Sequence, residues 1–512
     1  MPFDSSTGDN EKVTIRVRWE TIILRRGKVQ LKTAGEYLQS LRKLKLNVYF
    51  FGRKVENPAD FPLTKPSQNS VALTYSLAHD PIYSDLMTAT SHLTGEKINR
   101  FTHIPQSTED LVKKVKMLRL IGQKTGACFQ RCVGMDALIA LSSVTYEIDQ
   151  RFGTQYNGRF NRFLTYVQHE DLVCNGAMTD VKGDRALRPS QQEDRDLYVR
   201  VVEEKSDGIV VRGAKAHQTG AINAHEIIVL PTIAMRDNEK DYAISFSTPS
   251  DSTGIVHIIG RQPNDTRKLE EGEIDVGNAK YGVAGHEAMV VFDDVFIPWD
   301  RVYMFGENEF SGPLVERFAS YHRQNYGGCK TGVGDVLIGA AATIAEYNGV
   351  QDASHIKEKI TEMVHLNETM YACGLACSHE GYKLPSGTYS VNLLLANATK
   401  HNVTRFPFEM ARLALDVAGG LVATLPSERD LKSPEIGKYV DKYLKGLATV
   451  PTENRVRMLR LIENMVFGAG MVESLHGAGS PQAQRITILR QANLEAKKKL
   501  SKDLAGIKEN HP

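Results

Sequence analysis

The hydrophobic period of the chain changes twice, and these changes limit the fold more than any other feature of the sequence. Between residues 33 and 165, apolar residues recur at helical spacing, as in AGEYLQSLRKL. Near residue 170 the pattern becomes alternating, and Asp207-Gly208 predicts a hairpin turn. Helical spacing returns after Pro298-Trp299-Asp300. The sequence therefore predicts helices, then strands, then helices.

These patterns predict a mainly α-helical α+β protein. The chain of 512 residues has room for about three domains of roughly 150 residues each. The strand-rich part predicts a small β-barrel, with a β-sandwich as the alternative. The predicted parts are an N-terminal extension (1–30), an N-terminal helical domain (31–169), a middle β-barrel (170–300) and a C-terminal four-helix bundle (301–512).

The composition argues against several classes of protein. With 63 basic and 61 acidic side chains, the formal net charge of +2 gives no sign of a nucleic-acid or membrane surface. No stretch reaches the ~18 apolar residues of a membrane span, and the opening MPFDSSTGDNEK lacks the order of a signal peptide. Residues 13–28 predict an edge strand pair or a loosely held arm. Six cysteines are too few for a disulfide framework, so we expect a cytoplasmic protein with reduced thiols.

Two cysteines four residues apart, Cys128 and Cys132, are candidate metal ligands. The segment CFQRCVGMDALIALSSVTYEIDQ predicts a long helix that presents both thiols on one face. Far downstream, HRQNYGGCK contains His322 and Cys329. Three thiolates and one imidazole could hold an iron–sulfur cluster, and a cluster with one weaker nitrogen ligand can act as a Lewis acid.

Other interpretations of these cysteines remain open. Cys373 and Cys377 have the same spacing in an apolar helix, where packing in the core is the expected role. The same role is the alternative for the upstream pair. In favour of a metal site, Gly327-Gly328 directly before the downstream cysteine predict that the backbone approaches a bulky inorganic group closely.

Three further segments suit a flavin or a nucleotide. Residues 175–190 are rich in groups that bind a flavin ring and its ribityl chain, although a polar loop is the alternative: Thr179, Asp180, Lys182, Asp184 and Arg185. Polar side chains crowd one predicted strand end: Lys215, His217, Gln218 and Thr219. Gly419-Gly420 could meet a pyrophosphate or simply cap a helix. No GxGxxG follows a strand, so a Rossmann domain is not predicted.

Two acidic residues are candidates for proton transfer. Glu473, with His476, precedes a Gly-Ala-Gly turn near the C-terminus, and an acid beside small residues at a cavity is a candidate general base. A surface acid on a capped helix is the alternative. Glu287 stands alone at the start of an apolar strand, and the same two interpretations apply.

Long motifs in these segments resemble the family of 4-hydroxybutyryl-CoA dehydratase/vinylacetyl-CoA Δ-isomerase, from about Leu31 onward. The motifs are GQKTGACFQRCVGMDA, GAMTDVKGDR, VVRGAKAHQTG, YHRQNYGGCKTGVGDV, LNETMYACGLACS and SLHGAGSPQAQRI. The wider group includes the 4-hydroxyphenylacetate 3-monooxygenases and is similar to the acyl-CoA dehydrogenase fold. That fold has the same order of helices, barrel and helices.

The resemblance implies two cofactors and a homotetramer built as a dimer of dimers. It implies a [4Fe-4S] cluster on Cys128, Cys132, His322 and Cys329. It implies FAD held by Met178, Thr179, Asp180, Lys182, Asp184, Arg185, His217, Gln218 and Thr219, and by Gly419 and Gly420 of a neighbouring subunit. It also implies a reaction chamber lined by His322, Glu287, Tyr326, Lys330 and Glu473.

The activity implied by the resemblance is dehydration of 4-hydroxybutyryl-CoA to crotonyl-CoA, together with isomerisation of vinylacetyl-CoA. A flavin radical mechanism is implied, with the cluster as Lewis acid. His322 or Glu473 would take the C2 proton, and His322, released from the iron, would suit the second base that takes the C3 proton. Glu473 is alternatively the acid that reprotonates the terminal carbon. Tyr326 and Lys330 would donate to the hydroxyl or the thioester.

Three other functions stay open from the sequence alone. The first is a flavin monooxygenase or acyl-CoA dehydrogenase without a cluster. The second is an iron–sulfur flavoprotein that only transfers electrons. The third is a helical scaffold with vestigial motifs.

Overall fold

The computed structural model of the protein describes residues 29–282 and 285–507. The predicted arm at residues 13–28 lies outside the described residues. Within them, helices occupy both ends of the chain and most strands lie between, which confirms the mainly helical α+β class. Across these two ranges, no helix is long and apolar enough to cross a membrane. The domain boundaries at residues 169 and 300 stay predictions.

Six helices occur in the first helical part. They are α1 (Ala34–Arg42), α2 (Lys65–His79), α3 (Ser84–Met87), α4 (Thr108–Thr125), α5 (Cys132–Phe152) and α6 (Tyr156–His169). α4 begins after Ser107, because the Ser107 side chain accepts a hydrogen bond from the backbone N–H of Asp110 at 3.2 Å. It ends at Gly126, whose φ of 58° is left-handed. α5 is almost wholly buried and lies in the main apolar core.

The predicted helix through Cys128 and Cys132 is wrong at its start. α5 begins at Cys132, and Cys128 lies in the preceding loop. Gln130 has a φ of 58°, which a helix excludes. Its buried amide explains this conformation, since it accepts a hydrogen bond from Asn223 at 2.6 Å and donates one to the His286 carbonyl at 3.3 Å. These contacts tie the loop to the strand-rich part and end the helix.

The described strands form two main sheets and two short hairpins. The strands are β1 (Val48–Phe50), β2 (Arg53–Val55), β3 (Thr88–Thr90), β4 (Lys97–Asn99), β5 (Cys174–Ala177), β6 (Arg200–Lys205), β7 (Gly208–Thr219), β8 (Glu226–Val229), β9 (Ile244–Pro249), β10 (Ile255–Ile259), β11 (Glu287–Pro298), β12 (Val302–Phe305), β13 (Tyr382–Lys383) and β14 (Tyr389–Ser390). One sheet has the order β2-β1-β10-β11-β7-β6, and the other β12-β9-β8-β5. The predicted hairpin is confirmed, because Lys205 pairs with Gly208 across the turn.

The predicted closed barrel is wrong, because the described strands form two open sheets. The outer strands of one sheet do not pair with those of the other, so two open sheets remain. Strands β1 and β2, from residues 48–55, extend the larger sheet at one side. The two sheets instead share an apolar core, in which the Phe246 and Phe292 rings meet edge to face at 5.9 Å. The sandwich, the alternative from the sequence, describes this arrangement better.

Eleven helices follow in the described part. They are α7 (Asn308–Tyr347), α8 (Ser354–His379), α9 (Leu393–Val403), α10 (Phe406–Ala418), α11 (Leu421–Thr424), α12 (Glu428–Leu431), α13 (Gly437–Tyr443), α14 (Thr452–Phe467), α15 (Ala469–His476), α16 (Pro481–Gln491) and α17 (Leu494–Leu504). The long helices α7, α8, α10 and α14 contribute to one apolar core, which includes Leu337, Met363, Met410 and Leu459. His322 and Cys329 both lie on α7.

Glycines on α7 allow its neighbours to approach very closely. A methyl group on Gly328 would overlap the carbonyl oxygen of Val115, and one on Gly332 would overlap that of Arg119, both on α4. Gly327 faces α8 in the same way. Gly327 and Gly328 are absent from the lining of the main cavity. Their observed role is helix packing, and the approach to an inorganic group stays a prediction.

We predict that Gly332→Ala destabilises the protein. The added methyl group must push α4 away from α7, and such overpacking costs about 1–3 kcal/mol. Gly339→Ala is the matched control on the same helix, because a methyl group there meets nothing within 4 Å. It should raise stability by about 0.5–1 kcal/mol through the lost flexibility of glycine. Thermal unfolding of both variants checks this, and equal shifts of the midpoint would contradict the packing role.

Candidate active site

One cavity of about 830 Å³ contains most of the residues selected from the sequence. It lies between the loop before α5, the ends of β5 and β7, the middle of α7 and the helix α15. All the predicted cluster ligands and catalytic residues line it: Cys128, Cys132, His322, Cys329, Glu287, Tyr326, Lys330 and Glu473. Most predicted flavin contacts line it too: Met178, Thr179, Lys182, Arg185, His217, Gln218 and Thr219.

Four predicted flavin contacts lie outside this lining. The Asp180 carboxylate is buried and pairs with the Lys215 ammonium at 2.9 Å, which joins the 178–185 segment to β7. Asp184 accepts a hydrogen bond from the backbone N–H of Ala186. Gly419 and Gly420 are exposed at the end of α10. Their roles in binding flavin stay predictions.

The three predicted thiol ligands are free and lie near positive charges. Burial raises the pKa of all three thiols, that of Cys329 to about 12. Lysine charges oppose this shift, with Lys330 acting on Cys128 and Cys329, and Lys114 acting on Cys132. Metal ligands must be thiolates, so these lysines favour the form of the thiols that binds a metal.

The imidazole of His322 is held at one nitrogen and free at the other. Its Nδ1 lies 2.8 Å from a carboxylate oxygen of Asp136, a residue with no exposed surface. Nε2 has no hydrogen-bond partner among the described residues, and the side chain lines the cavity. The ring stacks on Phe318 and meets Tyr326 edge to face, with centroids 5.8 and 5.4 Å away. A single nitrogen is therefore available to a ligand in the cavity.

The donor set is of the kind that binds an iron–sulfur cluster. Within the part of the chain that the structure describes, no three His, Cys, Asp or Glu side chains converge on one point that could hold a metal ion. Each protein ligand of a four-iron cluster binds a different iron atom, so the ligands surround the group and need not converge. Three free thiols and one unpaired imidazole nitrogen around one cavity match that requirement.

An ion pair crosses the cavity between α7 and α15. The Lys330 ammonium lies 2.5 Å from a carboxylate oxygen of Glu473. Burial alone would raise the pKa of Glu473, but the lysine charge outweighs it and lowers that pKa below its ordinary value. Burial likewise opposes protonation of Lys330, yet Glu473 raises the pKa of this lysine. Both groups are therefore charged near neutral pH.

Tyr326 lies between two lysines. The Lys400 ammonium is 4.4 Å from the centroid of the Tyr326 ring, and that of Lys330 is 5.8 Å from it. Lys400 donates a hydrogen bond to the carbonyl of Ser474, next to Glu473. Burial lowers the pKa of Lys400 to about 7. These contacts connect α7 and α9 to the helix that carries Glu473.

Glu287 differs in charge from Glu473. It is the first residue of β11, pairs with Thr219 on β7, and accepts a hydrogen bond from the Thr219 hydroxyl at 2.8 Å. Burial and the nearby charge of Glu473 raise the pKa of Glu287 to about 7. One carboxyl group of the chamber is therefore ionised while the other is partly protonated near neutral pH, a contrast that often separates an acid from a base.

Four charged groups around the chamber were not predicted from the sequence. Asp136 and Lys114 form a buried ion pair at 2.7 Å behind His322, and Lys400 lies behind Tyr326. Arg323 lines the cavity, bonds to the Ala478 carbonyl at 3.1 Å, and has its pKa lowered to about 10 by burial. A charged residue at an apolar helix position was the available signal, as in CVGMDALIAL and LLLANATKHNV.

The second cysteine pair lies away from the cavity. Cys377 is fully buried in the main core, and the Cys373 sulfur accepts a hydrogen bond from Asn402 at 3.6 Å. Neither residue lines the cavity. The predicted packing role is confirmed for Cys377, whereas Cys373 is only half-buried and lies outside the apolar cores of the described residues.

Comparisons with known proteins give similarity over nearly the whole chain. The family model described as 4-hydroxyphenylacetate 3-hydroxylase N terminal matches residues 33–304, and its C-terminal counterpart matches residues 311–506. The chain is 59% identical over 491 residues to the 4-hydroxybutyryl-CoA dehydratase/vinylacetyl-CoA-Delta-isomerase of Clostridium aminobutyricum, which covers 93% of this chain and 100% of that protein.

Two solved structures are similar in fold. An oxygen-tolerant archaeal 4-hydroxybutyryl-CoA dehydratase from N. maritimus has a TM-score of 0.92 and 56% identity, covering 94% of this chain and 96% of that one. The oxygenase component of 4-hydroxyphenylacetate 3-monooxygenase, complexed with FAD and 4-hydroxyphenylacetate, has a TM-score of 0.80 and 25% identity, covering 92% and 98%. These similarities confirm the resemblance that the sequence motifs indicate.

The raised pKa of Glu287 predicts a pH-dependent stability that Glu287→Gln removes. The folded protein keeps this proton up to a pH of about 7, whereas an ordinary glutamate has a pKa of 4.5. The wild type should therefore lose stability as pH rises from 4.5 to about 7, and no more above that. Across this window the variant should gain roughly 1–3 kcal/mol over the wild type. Thermal unfolding measured against pH tests this, and parallel curves for the two proteins would contradict it.

Proposed function

The chain belongs to the 4-hydroxyphenylacetate 3-hydroxylase family, and from its similarity to the dehydratases we propose that it converts 4-hydroxybutyryl-CoA to crotonyl-CoA and water. It also isomerises vinylacetyl-CoA to crotonyl-CoA, and is thus a lyase with isomerase activity. The 59% identity over 93% of the chain supports this activity. The observation that carries the proposal is the cavity itself, which is lined by three free thiols, an imidazole with an unpaired nitrogen, and an ionised carboxylate.

Two cofactors follow from the proposal. The FAD complex of a family member supports FAD here, held by the residues of the 178–185 segment and of 217–219, with Gly419 and Gly420 contributed by a neighbouring subunit of a homotetramer. The chemistry of the donor set supports a [4Fe-4S] cluster on Cys128, Cys132, His322 and Cys329. When bound, the flavin supplies one-electron exchange with the substrate, and the cluster supplies a Lewis-acid iron for the C4 hydroxyl.

Side chains of the cavity must accept two substrate protons of very different acidity. The thioester acidifies the hydrogen on C2 but not that on C3, and both must be removed. Glu473, through its carboxylate oxygens, and His322, through Nε2, are the acceptors we assign among the titratable groups that line the cavity. Lys330 keeps the Glu473 carboxylate ionised and orients it by the ion pair. His322 or Glu473 takes the C2 proton, and the other group is free for C3 or for reprotonation of the terminal carbon.

The remaining groups bind and orient the substrate. Tyr326 and Lys330 have donor atoms at the cavity and can hydrogen-bond to the thioester oxygen or the C4 hydroxyl. Both side chains are largely buried, so their donor groups are held at the cavity wall. An enzyme of this kind acts in the cytoplasm, and its helix, sheet and helix order is that of the acyl-CoA dehydrogenase fold.

One assay separates this activity from the alternatives. The protein is purified without oxygen, its FAD, iron and acid-labile sulfide are counted, and 4-hydroxybutyryl-CoA is added. We expect both cofactors and formation of crotonyl-CoA without an external electron acceptor. Hydroxylation of a phenol with reduced flavin, or oxidation of an acyl-CoA that requires an acceptor, in a protein free of iron, would overturn the proposal.

Cys329→Ala should remove the iron and sulfide while the protein stays folded, because the cluster loses one of its thiolates. Cys373→Ala is the matched control, since this cysteine is also half-buried but lies away from the cavity. The control should keep a full complement of iron and sulfide. A Cys329→Ala protein with wild-type iron content and turnover would refute the ligand assignment.

Glu473→Gln should keep both cofactors yet lower kcat by about 10²–10⁴-fold, the usual contribution of a positioned acid or base. Glu453→Gln, which removes an exposed glutamate paired with Arg457, is the control and should leave kcat unchanged. Steady-state rates with 4-hydroxybutyryl-CoA, together with cofactor counts, make the comparison. Near-wild-type kcat in Glu473→Gln would assign this residue a structural role only.

A further inference from the structure

A buried carboxylate behind the chamber contacts His322. One oxygen of Asp136 lies 2.8 Å from His322 Nδ1 and 2.5 Å from the amide nitrogen of Asn325, and the other lies 2.7 Å from the Lys114 ammonium. The Asp136 side chain has no exposed surface, and that of Lys114 is 2% exposed. Both carboxylate oxygens are therefore occupied, and one lysine balances the charge.

Lys114 is itself held in place. Its ammonium group also lies 3.4 Å from the Tyr321 carbonyl and 3.3 Å from the side-chain oxygen of Gln324, both on α7. These buried polar contacts therefore link α4, α5 and α7 next to the His322 imidazole. Because every partner is buried, the carboxylate has little freedom to leave its position.

The contacts of the imidazole ring restrict its rotation. Phe318 stacks on one face at an interplanar angle of 13°, and Tyr326 meets the ring at 87°. A carboxylate that accepts a hydrogen bond from Nδ1–H leaves the lone pair on Nε2. With Nδ1 bound behind the chamber, Nε2 is the nitrogen that faces the cavity.

We propose that Asp136 is a positioning residue that holds His322 in the Nδ1–H tautomer and presents Nε2 to the chamber. This inference rests on the proposed function and deepens it. The same nitrogen then serves as the fourth ligand and as the proton acceptor. The bond to the carboxylate would hold the imidazole beside the chamber whether or not Nε2 binds the iron.

A purely structural ion pair between α4 and α5 is the competing explanation. Two double variants separate the explanations: Asp136→Asn/Lys114→Met and Asp136→Leu/Lys114→Met. Both remove the ion pair and leave no unpaired charge in the core, and asparagine and leucine are similar in size. They differ in the acceptor, since only the asparagine oxygen can still accept hydrogen bonds from Nδ1–H of His322 and from the Asn325 amide.

The test measures the retention of iron by the anaerobically purified holoproteins. Iron release to bathophenanthroline disulfonate is timed, and FAD content and the thermal unfolding midpoint are measured alongside. We expect the leucine variant to release iron about 10- to 100-fold faster than the asparagine variant, the usual cost of losing a partner of a histidine ligand. FAD content should be equal in the two. Equal release rates would overturn the positioning role.

A second measurement does not depend on the folding of any variant. A crystal structure of the wild-type holoprotein should keep His322 Nδ1 within hydrogen-bond distance of Asp136, with Nε2 towards the iron. An imidazole turned so that Nδ1 is the ligand would overturn the proposal.

The two proposals fail in different ways. A wild-type protein without iron, or without dehydration of 4-hydroxybutyryl-CoA, overturns the proposed function and the positioning role with it. A wild type that has the cluster and dehydrates its substrate, with equal iron release in both double variants, overturns the role of Asp136 alone.

Discussion

The packing of α7 against α4 and α8 through glycine is the contact on which the site depends most. His322, Tyr326, Cys329 and Lys330 lie on this one helix and line one cavity. The glycines between and after them allow neighbouring backbones to come closer than any side chain permits. The helix therefore has little freedom to turn or slide, and the order of its functional side chains along the cavity is set by helical geometry alone.

Charge balance is the second constraint on the chamber. Burial makes the ionisation of each thiol costly, and a carboxylate in the same space adds to that cost. Lysines on three different helices lie near the thiols and carboxylates and oppose this excess of negative charge: Lys114, Lys330 and Lys400. A buried ion pair contributes little stability by itself. Here the buried ion pairs keep side chains of the chamber ionised and fixed in orientation.

The sequence was informative about periodic elements and long motifs. The change of hydrophobic period predicts the order of helices and strands, and the motifs around Cys128, Cys132, His322 and Cys329 predict residues that meet in one cavity. It was less informative where distant contacts decide the structure. The left-handed conformation of Gln130 depends on partners far away in the chain, and so does the pairing at the sheet edges. The acid at the apolar position of Asp136 marks a buried charge, but its partners on α4 and α7 cannot be read from the sequence.

The proposed function depends on an iron–sulfur cluster that three thiolates and the His322 imidazole would hold inside this cavity. The most direct measurement is anomalous scattering at the iron absorption edge from crystals of the anaerobically prepared protein. Iron density enclosed by Cys128, Cys132, Cys329 and Nε2 of His322 is the predicted result. Iron bound elsewhere in the molecule, or a complete absence of iron from protein that dehydrates 4-hydroxybutyryl-CoA, would contradict it.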